Sequence, residues 1–309
     1  MIEDALGVID YDESGQGPTI VFVPGSCSTG AAWKAVIARL EGQFRTITTS
    51  LPGYGGSAER RTSSDQSIMP VASAIEAVIM QAGGPVHLVG HSFGGEVGLA
   101  VALRGHVQLQ SLSIFEAPAP GMLSTFMRLT YYNEFRAMTS AYIQDYRSGN
   151  AEAIASMIDF YGGTGTFASW PATVRGYAVK TTPTNILDWT SAYGSEPSPA
   201  ALAKLGLPVL VTVGGNSHPA VVEANSLIAN AIPGATFAKI EGAAHFMTAT
   251  HAIEVAKLIT QHTFVSKGQC TNGHQFLVFD WASLKVAALA RNVRFRPIAD
   301  IGRNGFSPD

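Results

Sequence analysis

Two textures of hydrophobic position alternate along this chain. Short runs rich in apolar or β-branched residues occur at 19–23, 44–48, 86–90, 109–115, 207–214 and 235–240, the first of them nearly continuously apolar. Each is too short for a stable helix, and several are bounded by Gly or Pro, as expected of strands buried on both faces of a sheet. A further short run at 8–11 also reads as a strand. The stretches between them follow a helical period. Ile68, Val71, Ala72, Ile75, Val78, Ile79 and Ala82 make one apolar stripe, stopped by Gly83-Gly84-Pro85. Helices are likewise predicted over 29–40, 219–232 and 250–261, and from Phe93 onward. Strands alternating with helices predict an α/β protein with a mostly parallel sheet covered by helices on both faces.

Between 121 and 206 the pattern changes. Aromatic residues and methionines become frequent (Phe126, Met127, Tyr131, Tyr132, Phe135, Met138), and Ile154, Met157, Ile158 and Tyr161 form another helical stripe. Breaks at Gly162-Gly163, Pro171, Pro183 and Pro197 divide the segment into short helices.

The stretch richest in chemistry is Val86-His87-Leu88-Val89-Gly90-His91-Ser92-Phe93-Gly94-Gly95. It reads as strand, sharp turn and helix around G-x-S-x-G, the nucleophile elbow. Gly90 and Gly94 let the chain pass close to itself where a Cβ would block it. The turn lifts Ser92 Oγ above the sheet and aims the Phe93 N–H at the same space. A Gly-rich turn without chemistry is the alternative, and the flanking strand and helix patterns argue against it.

On these residues the chain resembles the α/β-hydrolases, from about Val8 to about Thr263. The resemblance implies an eight-stranded, mostly parallel sheet with a helical cap inserted after the family's sixth strand. The expected organisation is a core of 1–120 and 207–263, a cap of 121–206, and a poorly ordered extension of 264–309. It further implies a serine nucleophile, Ser92, activated by a histidine that a carboxylate orients. Of the eight histidines, His245 lies in the small-residue loop after the last predicted strand and matches the family's base. His91 is expected to point away from the nucleophile, and His87 to be core; His218 either lines the pocket or packs.

The acid departs from the family's commoner pattern. The loop after the seventh strand reads Gly214-Gly215-Asn216-Ser217-His218 and carries no carboxylate. Some family members carry the acid after the sixth strand, where this chain has Glu116; a loop carboxylate capping a backbone N–H is the other reading. Oxyanion donors are expected from the N–H groups of Phe93 and Ser26, with Cys27 a second candidate. Pro24 stands where the family usually has histidine and, having no N–H, cannot donate.

Composition narrows the classes. Of 309 residues, 46% are hydrophobic and 14% charged, which suits a large core and excludes a disordered chain. The net charge of −3 gives no reason to expect nucleic acid or an anionic membrane as partner. Cys27 and Cys270 form no metal or redox motif. The acidic start (Glu3, Asp4, Asp10) resembles no signal peptide, so a cytoplasmic protein is expected. The expected partner is a small-molecule substrate, with no cofactor and no metal, and nothing in the sequence signals an oligomeric state. The expected activity is hydrolysis of a small or medium, apolar ester, lactone or thioester. A carbon–carbon bond hydrolase or a cofactor-free perhydrolase would use the same residues, as would acyl transfer to an acceptor other than water. A receptor that binds a ligand on this fold without turnover is the reading from another class.

Overall fold

The computed structural model describes residues 1–271 and 293–296, and the expectations for 272–292 and 297–309 lie outside the described residues. At the start, β1 (Ile2–Asp4) and β2 (Gly7–Ile9) form an antiparallel hairpin of their own. The main sheet contains β3 (Asp12–Ser14), β4 (Thr19–Val23), β5 (Arg45–Thr48), β6 (Val86–His91), β7 (Leu109–Phe115), β8 (Val209–Gly214), β9 (Thr236–Ile240) and β10 (Val293–Arg296). Its order is β10-β9-β8-β7-β6-β4-β5-β3. The strands from β4 to β9 pair in parallel, while β3 and β10 join the two edges antiparallel.

The helices are α1 (Lys34–Ile37), α2 (Met69–Ala82), α3 (Phe93–Arg104), α4 (Pro120–Thr125), α5 (Leu129–Arg147), α6 (Ile154–Gly162) and α7 (Thr166–Ser169). There follow α8 (Ala172–Lys180), α9 (Thr182–Tyr193), α10 (Pro199–Leu202), α11 (Pro219–Ala231), α12 (Met247–Thr250) and α13 (Ala252–Thr271). Between β7 and β8 the chain is built of α4 to α10. The final helix runs on to Thr271, past the expected core boundary at 263.

The sheet divides the core in two, and strand alternation does the dividing. In β4, Ile20 and Phe22 face a layer with Trp33, Val36, Val255, Leu258 and Ile259, while Val21 and Val23 face α2 and α3. All four are 0% exposed, which is why β4 reads as an unbroken apolar run. Burying a side chain of this size contributes roughly 1.5–3 kcal/mol. One expectation shifts: the helix predicted over 29–40 is a 3-10 turn at Gly30–Trp33 followed by the single turn of α1. Only Trp33 and Val36 of these two elements are buried, so no long apolar stripe sustains a helix there.

The chain leaves β4 for β5 and then returns to β6 on the other side of β4. This reversal opens a crevice at the carboxyl ends of β4 and β6. Both loops that the sequence singles out, Pro24–Cys27 and the turn at Ser92, lie at those ends.

One buried acid contributes to the pH response of the fold. Glu96, near the start of α3, is 2% exposed and accepts a hydrogen bond from Ala119 N–H at 3.2 Å. Burial pushes its carboxyl up to about 8, against the pull of the Ala119 N–H and the Ser195 hydroxyl. The folded state therefore holds a proton that the unfolded chain releases at lower pH. The resulting stability is complete below the unfolded pKa and is lost as pH rises through about 8. Glu96→Gln, which cannot ionise, is expected to flatten this loss. Between about pH 5 and about pH 9 its melting temperature should fall less than wild type's, by roughly 3–8 °C. Parallel thermal melts across that range check it, and superimposable pH profiles would refute it.

Candidate active site

Ser92 begins α3 with φ 55° and ψ −130°, a conformation that L-residues rarely adopt. The surroundings enforce it. Ser92 N–H donates to Phe115 O at 2.8 Å, tying the turn to the neighbouring strand. A Cβ on Gly90 would run into Gly94 O, and one on Gly94 into Pro24 O. Glycine at both positions is what allows β6, α3 and the loop after β4 to close on one another. The first N–H groups of a helix have no partner within it, so Phe93 N–H is free of α3's own ladder beside Ser92 Oγ.

Three residues from distant parts of the chain meet above the sheet. Ser92 Oγ lies 2.9 Å from His245 Nε2, and His245 Nδ1 lies 2.9 Å from Glu116 Oε2. Glu116 ends β7 with φ 54° and is 0% exposed. Its other oxygen, Oε1, accepts from Gly214 N–H at 2.6 Å and from the Ser217 hydroxyl. The loop after β8 thus contributes a serine hydroxyl to the acid rather than the acid itself. On the far side, Asn225 of α11 pins the turn: its Oδ1 accepts from Ala117 N–H at 3.0 Å, and its Nδ2 donates to Ala117 O at 2.8 Å.

Burial alone would raise the Glu116 carboxyl. The hydrogen bond and charge of His245, with Ser217 and the Gly214 N–H, outweigh it and hold the group below the usual carboxylate range. An ionised Glu116 accepts the Nδ1 proton of His245 and leaves Nε2 with a lone pair facing Ser92. In that tautomer His245 can take the hydroxyl proton.

His91, expected to point away from Ser92, bonds the backbone of the His245 loop. Its Nε2–H donates to His245 O at 2.7 Å, and the two ring centroids are 4.8 Å apart. Burial and the neighbouring His245 ring lower its pKa to about 3, so it stays neutral and holds the base loop through its backbone. His87 is buried, with Nδ1 2.8 Å from Ser111 Oγ. His218 accepts from Ala220 N–H at the start of α11 and stacks on Phe160 at 4.0 Å.

The loop after β4 crosses close above Ser92, since a Cβ on Gly25 would lie 2.8 Å from Ser92 Cβ. Ser26 follows, with its hydroxyl donating to Asp188 Oδ2 of α9 at 2.5 Å. Cys27 adopts φ 56°, and burial pushes its thiol up to about 12, so it offers no thiolate.

Asp188 is the hub of a network that the sequence did not reveal. Tyr54 O–H donates to the same Oδ2 at 2.5 Å, and Arg61 Nη1–H donates to Oδ1 at 2.7 Å. Arg61 also pairs with Glu59 at 2.7 Å. The available signal was the spacing of Asn185, Asp188, Trp189 and Ala192, which sets two polar groups on the buried face of a helix.

These elements enclose a cavity of 340 Å³ over Ser92. Gly25, Ser26, Cys27, Phe93 and His245 line it from the sheet side, and Met157, Ile158, Tyr161, Trp170, Val174 and Trp189 from the helices between β7 and β8. Tyr161 lies 4.1 Å from the His245 ring, centroid to centroid. A shallower groove of 490 Å³, lined by Asp10, Thr29, Lys34 and Thr46 among others, shares no lining residue with this one.

Comparison with known proteins gives three kinds of likeness. A model of the alpha/beta hydrolase family matches residues 20–258. Among curated relatives, the pimeloyl-[acyl-carrier protein] methyl ester esterase of Vibrio vulnificus is 33% identical over 112 residues, 36% of this chain and 41% of that protein. The protein PHYLLO of Arabidopsis thaliana is 30% identical over 124 residues, 38% of this chain and 7% of that protein. The chain thus spans less than half the length of these two relatives. Among solved structures, an esterase from Thermogutta terrifontis superposes with a TM-score of 0.66 at 21% identity, covering 84% of this chain and 93% of that one. The enol-lactonase of Burkholderia xenovorans gives 0.67 at 17% identity, covering 83% and 96%.

The geometry carries a prediction about the acid. Glu116→Gln is expected to slow phosphonylation of Ser92 by an organophosphorus probe by about 10² to 10⁴, since it favours the wrong His245 tautomer and removes the supporting charge. Ser217→Asp alone should also slow labelling, because adjoining carboxylates cannot both ionise freely. Joining the two substitutions leaves one carboxylate and should recover part of the rate. Unchanged labelling of Glu116→Gln, followed by mass spectrometry of the Ser92 peptide, would rule out Glu116 as the orienting acid.

Proposed function

We infer that this chain, which belongs to the alpha/beta hydrolase family, is a serine esterase acting through an acyl-enzyme on small or medium, largely apolar esters, lactones or thioesters. One observation carries the reading: an unbroken line of hydrogen bonds from buried Glu116 through His245 to Ser92 Oγ, opening on an apolar cavity. A serine held in a strained conformation against a base favours turnover over binding alone.

The roles follow from the geometry. Ser92 Oγ attacks the substrate's carbonyl carbon as its proton passes to His245 Nε2. The carbonyl oxygen becomes an oxyanion, for which the N–H groups of Phe93 and Ser26 are the donors. The carbon–oxygen bond to the leaving alcohol then breaks, and His245 gives the alcohol its proton. Water enters, loses a proton to the same nitrogen, and attacks the acyl carbon; breaking of the ester bond to Ser92 releases the acid and restores the serine. Glu116 keeps its charge throughout and stabilises the imidazolium. Loss of one oxyanion donor typically costs about 3–4 kcal/mol of barrier.

Substrate size and polarity follow from the walls. The volume of 340 Å³ lies near the lower end of the usual range for ligand pockets, roughly 300–1,000 Å³. The helices between β7 and β8 act in this reading as the cap, supplying Met157, Ile158, Trp170 and Val174 as apolar walls. The curated relatives named as methyl ester esterases support cleavage of a carboxylic ester.

Ser92→Ala should lower kcat on p-nitrophenyl esters by about 10⁴ to 10⁶ while leaving the melting temperature nearly unchanged. A fluorophosphonate should label wild type at Ser92 and spare the variant. A variant that keeps a tenth of the activity, or a wild type that resists the probe, would remove Ser92 as nucleophile.

A further inference from the structure

One face of α9 turns into the cavity. Asn185, Asp188, Trp189 and Ala192 all line it, at the spacing that stacks residues along a helix. Trp189 continues a row of rings from the base: Tyr161 is 4.1 Å from His245 and 6.4 Å from Trp189. One helical turn away from Trp189, past the apolar rings, stands Asn185.

The two polar residues on this face are served differently. Asp188 is saturated by Ser26, Tyr54 and Arg61. Asn185 is 2% exposed, yet its Oδ1 has no hydrogen-bond partner among the described residues. Its backbone N–H is held by Thr181 O at 3.0 Å, within the first turn of the helix, so the side chain starts from a fixed point. Buried polar atoms are almost always partnered, and an orphan acceptor calls for a specific cause. Asn185 also lines the cavity, where a rotation of its amide would bring this buried oxygen to a bound molecule.

The partner that suits it can be deduced. An amide oxygen accepts only, so the missing group is a donor. The carboxylate on this wall, Asp188, is already paired with Arg61, so it is not free to meet a buried cation, and the donor is neutral. That leaves a hydroxyl or an amide N–H on a chain otherwise apolar enough to lie against those rings.

We propose that Asn185 Oδ1 accepts a hydrogen bond from a hydroxyl or amide N–H carried on the substrate, and so selects hydroxylated or N-acylated esters over their hydrocarbon counterparts. This rests on the hydrolase reading above and names the substrate class within it. Asn185 is a specificity residue and takes no part in the proton transfers at Ser92.

The test uses p-nitrophenyl acyl esters in matched pairs, a hydroxyl in one member and a methyl in the other, with that position walked along the acyl chain. In wild type the hydroxylated member should win in kcat/KM by about 10- to 100-fold at one position. In Asn185→Leu the preference should shrink to about threefold or less, while the methyl member keeps or gains turnover. Asn185→Ala serves as the second variant, and melting temperatures show that both fold. A wild type without preference at any position, or a preference that survives both substitutions, would overturn the proposal. Calorimetric binding of the matched free acids to Ser92→Ala, and to the same variant carrying Asn185→Leu, asks the question without turnover. If no ester is cleaved, the hydrolase reading falls, and the ratio of the two Kd values still decides for or against Asn185.

Discussion

A carboxylate with no exposure to water governs how this molecule is put together. Removing an ionised group from water costs many kcal/mol unless hydrogen bonds replace the lost solvent. Glu116 has to find those bonds at the end of β7, and the chain around it supplies them. The Gly214 N–H comes from β8, which must therefore stand in its parallel register beside β7. The Ser217 hydroxyl comes from the loop that follows, and His245 from the loop after β9. One buried ion thus draws three successive parallel strands to end at the same level. The positive φ of Glu116 belongs to the same constraint, since it turns the side chain back over the sheet edge.

The serine at this position has a consequence beyond the loss of the commoner acid. A hydroxyl can donate to Glu116, whereas a second carboxylate would repel it. Ser217 is therefore matched to an acid on β7 in the way an aspartate would be matched to its absence. The two sites form an alternative pair, and this chain has resolved it in favour of the longer side chain from the neighbouring strand. His91 adds a similar support from another direction. It fixes the carbonyl of His245 while staying uncharged, so the base loop is held without a second positive charge beside it.

Much of this was legible in the sequence wherever burial was two-sided. The run at 19–23 coincides with β4, because a strand covered on both faces carries no polar interruption past its first residue to blur its ends, and 109–115 coincides with β7 although Gln110, Ser111 and Ser113 interrupt its apolar residues. The elbow was legible because its glycines and its flanking periods say the same thing. Legibility failed where those conditions lapse. Asp12–Ser14 is exposed and pairs only along a sheet edge, so nothing apolar marks it, whereas the run expected at 8–11 overlaps β2. The 29–40 stretch holds helix-forming residues but too few buried ones. The polar network is opaque for a different reason: Arg61 meets Asp188 across 127 residues, and no local pattern encodes such a contact.

That network also ties the two parts of the site together. Ser26 sits on the loop after β4, and Asp188 on a helix inserted between β7 and β8, yet a single hydrogen bond of 2.5 Å joins them. In the reading proposed above, the loop contributes to the oxyanion side of the site, while α9 contributes to the substrate wall. Arg61 neutralises Asp188 in this arrangement, which matters because a bare carboxylate behind Ser26 would oppose negative charge developing on the substrate's oxygen. The ion pair is buried and costs desolvation that hydrophobic residues of the same size would not. Its return is geometric, since it fixes the donor loop and the specificity helix by one shared anchor. A cavity wall and a Ser92 site that share an anchor are coupled, so on the proposed esterase reading the fit of the acyl chain and the placement of its carbonyl are set by the same few residues.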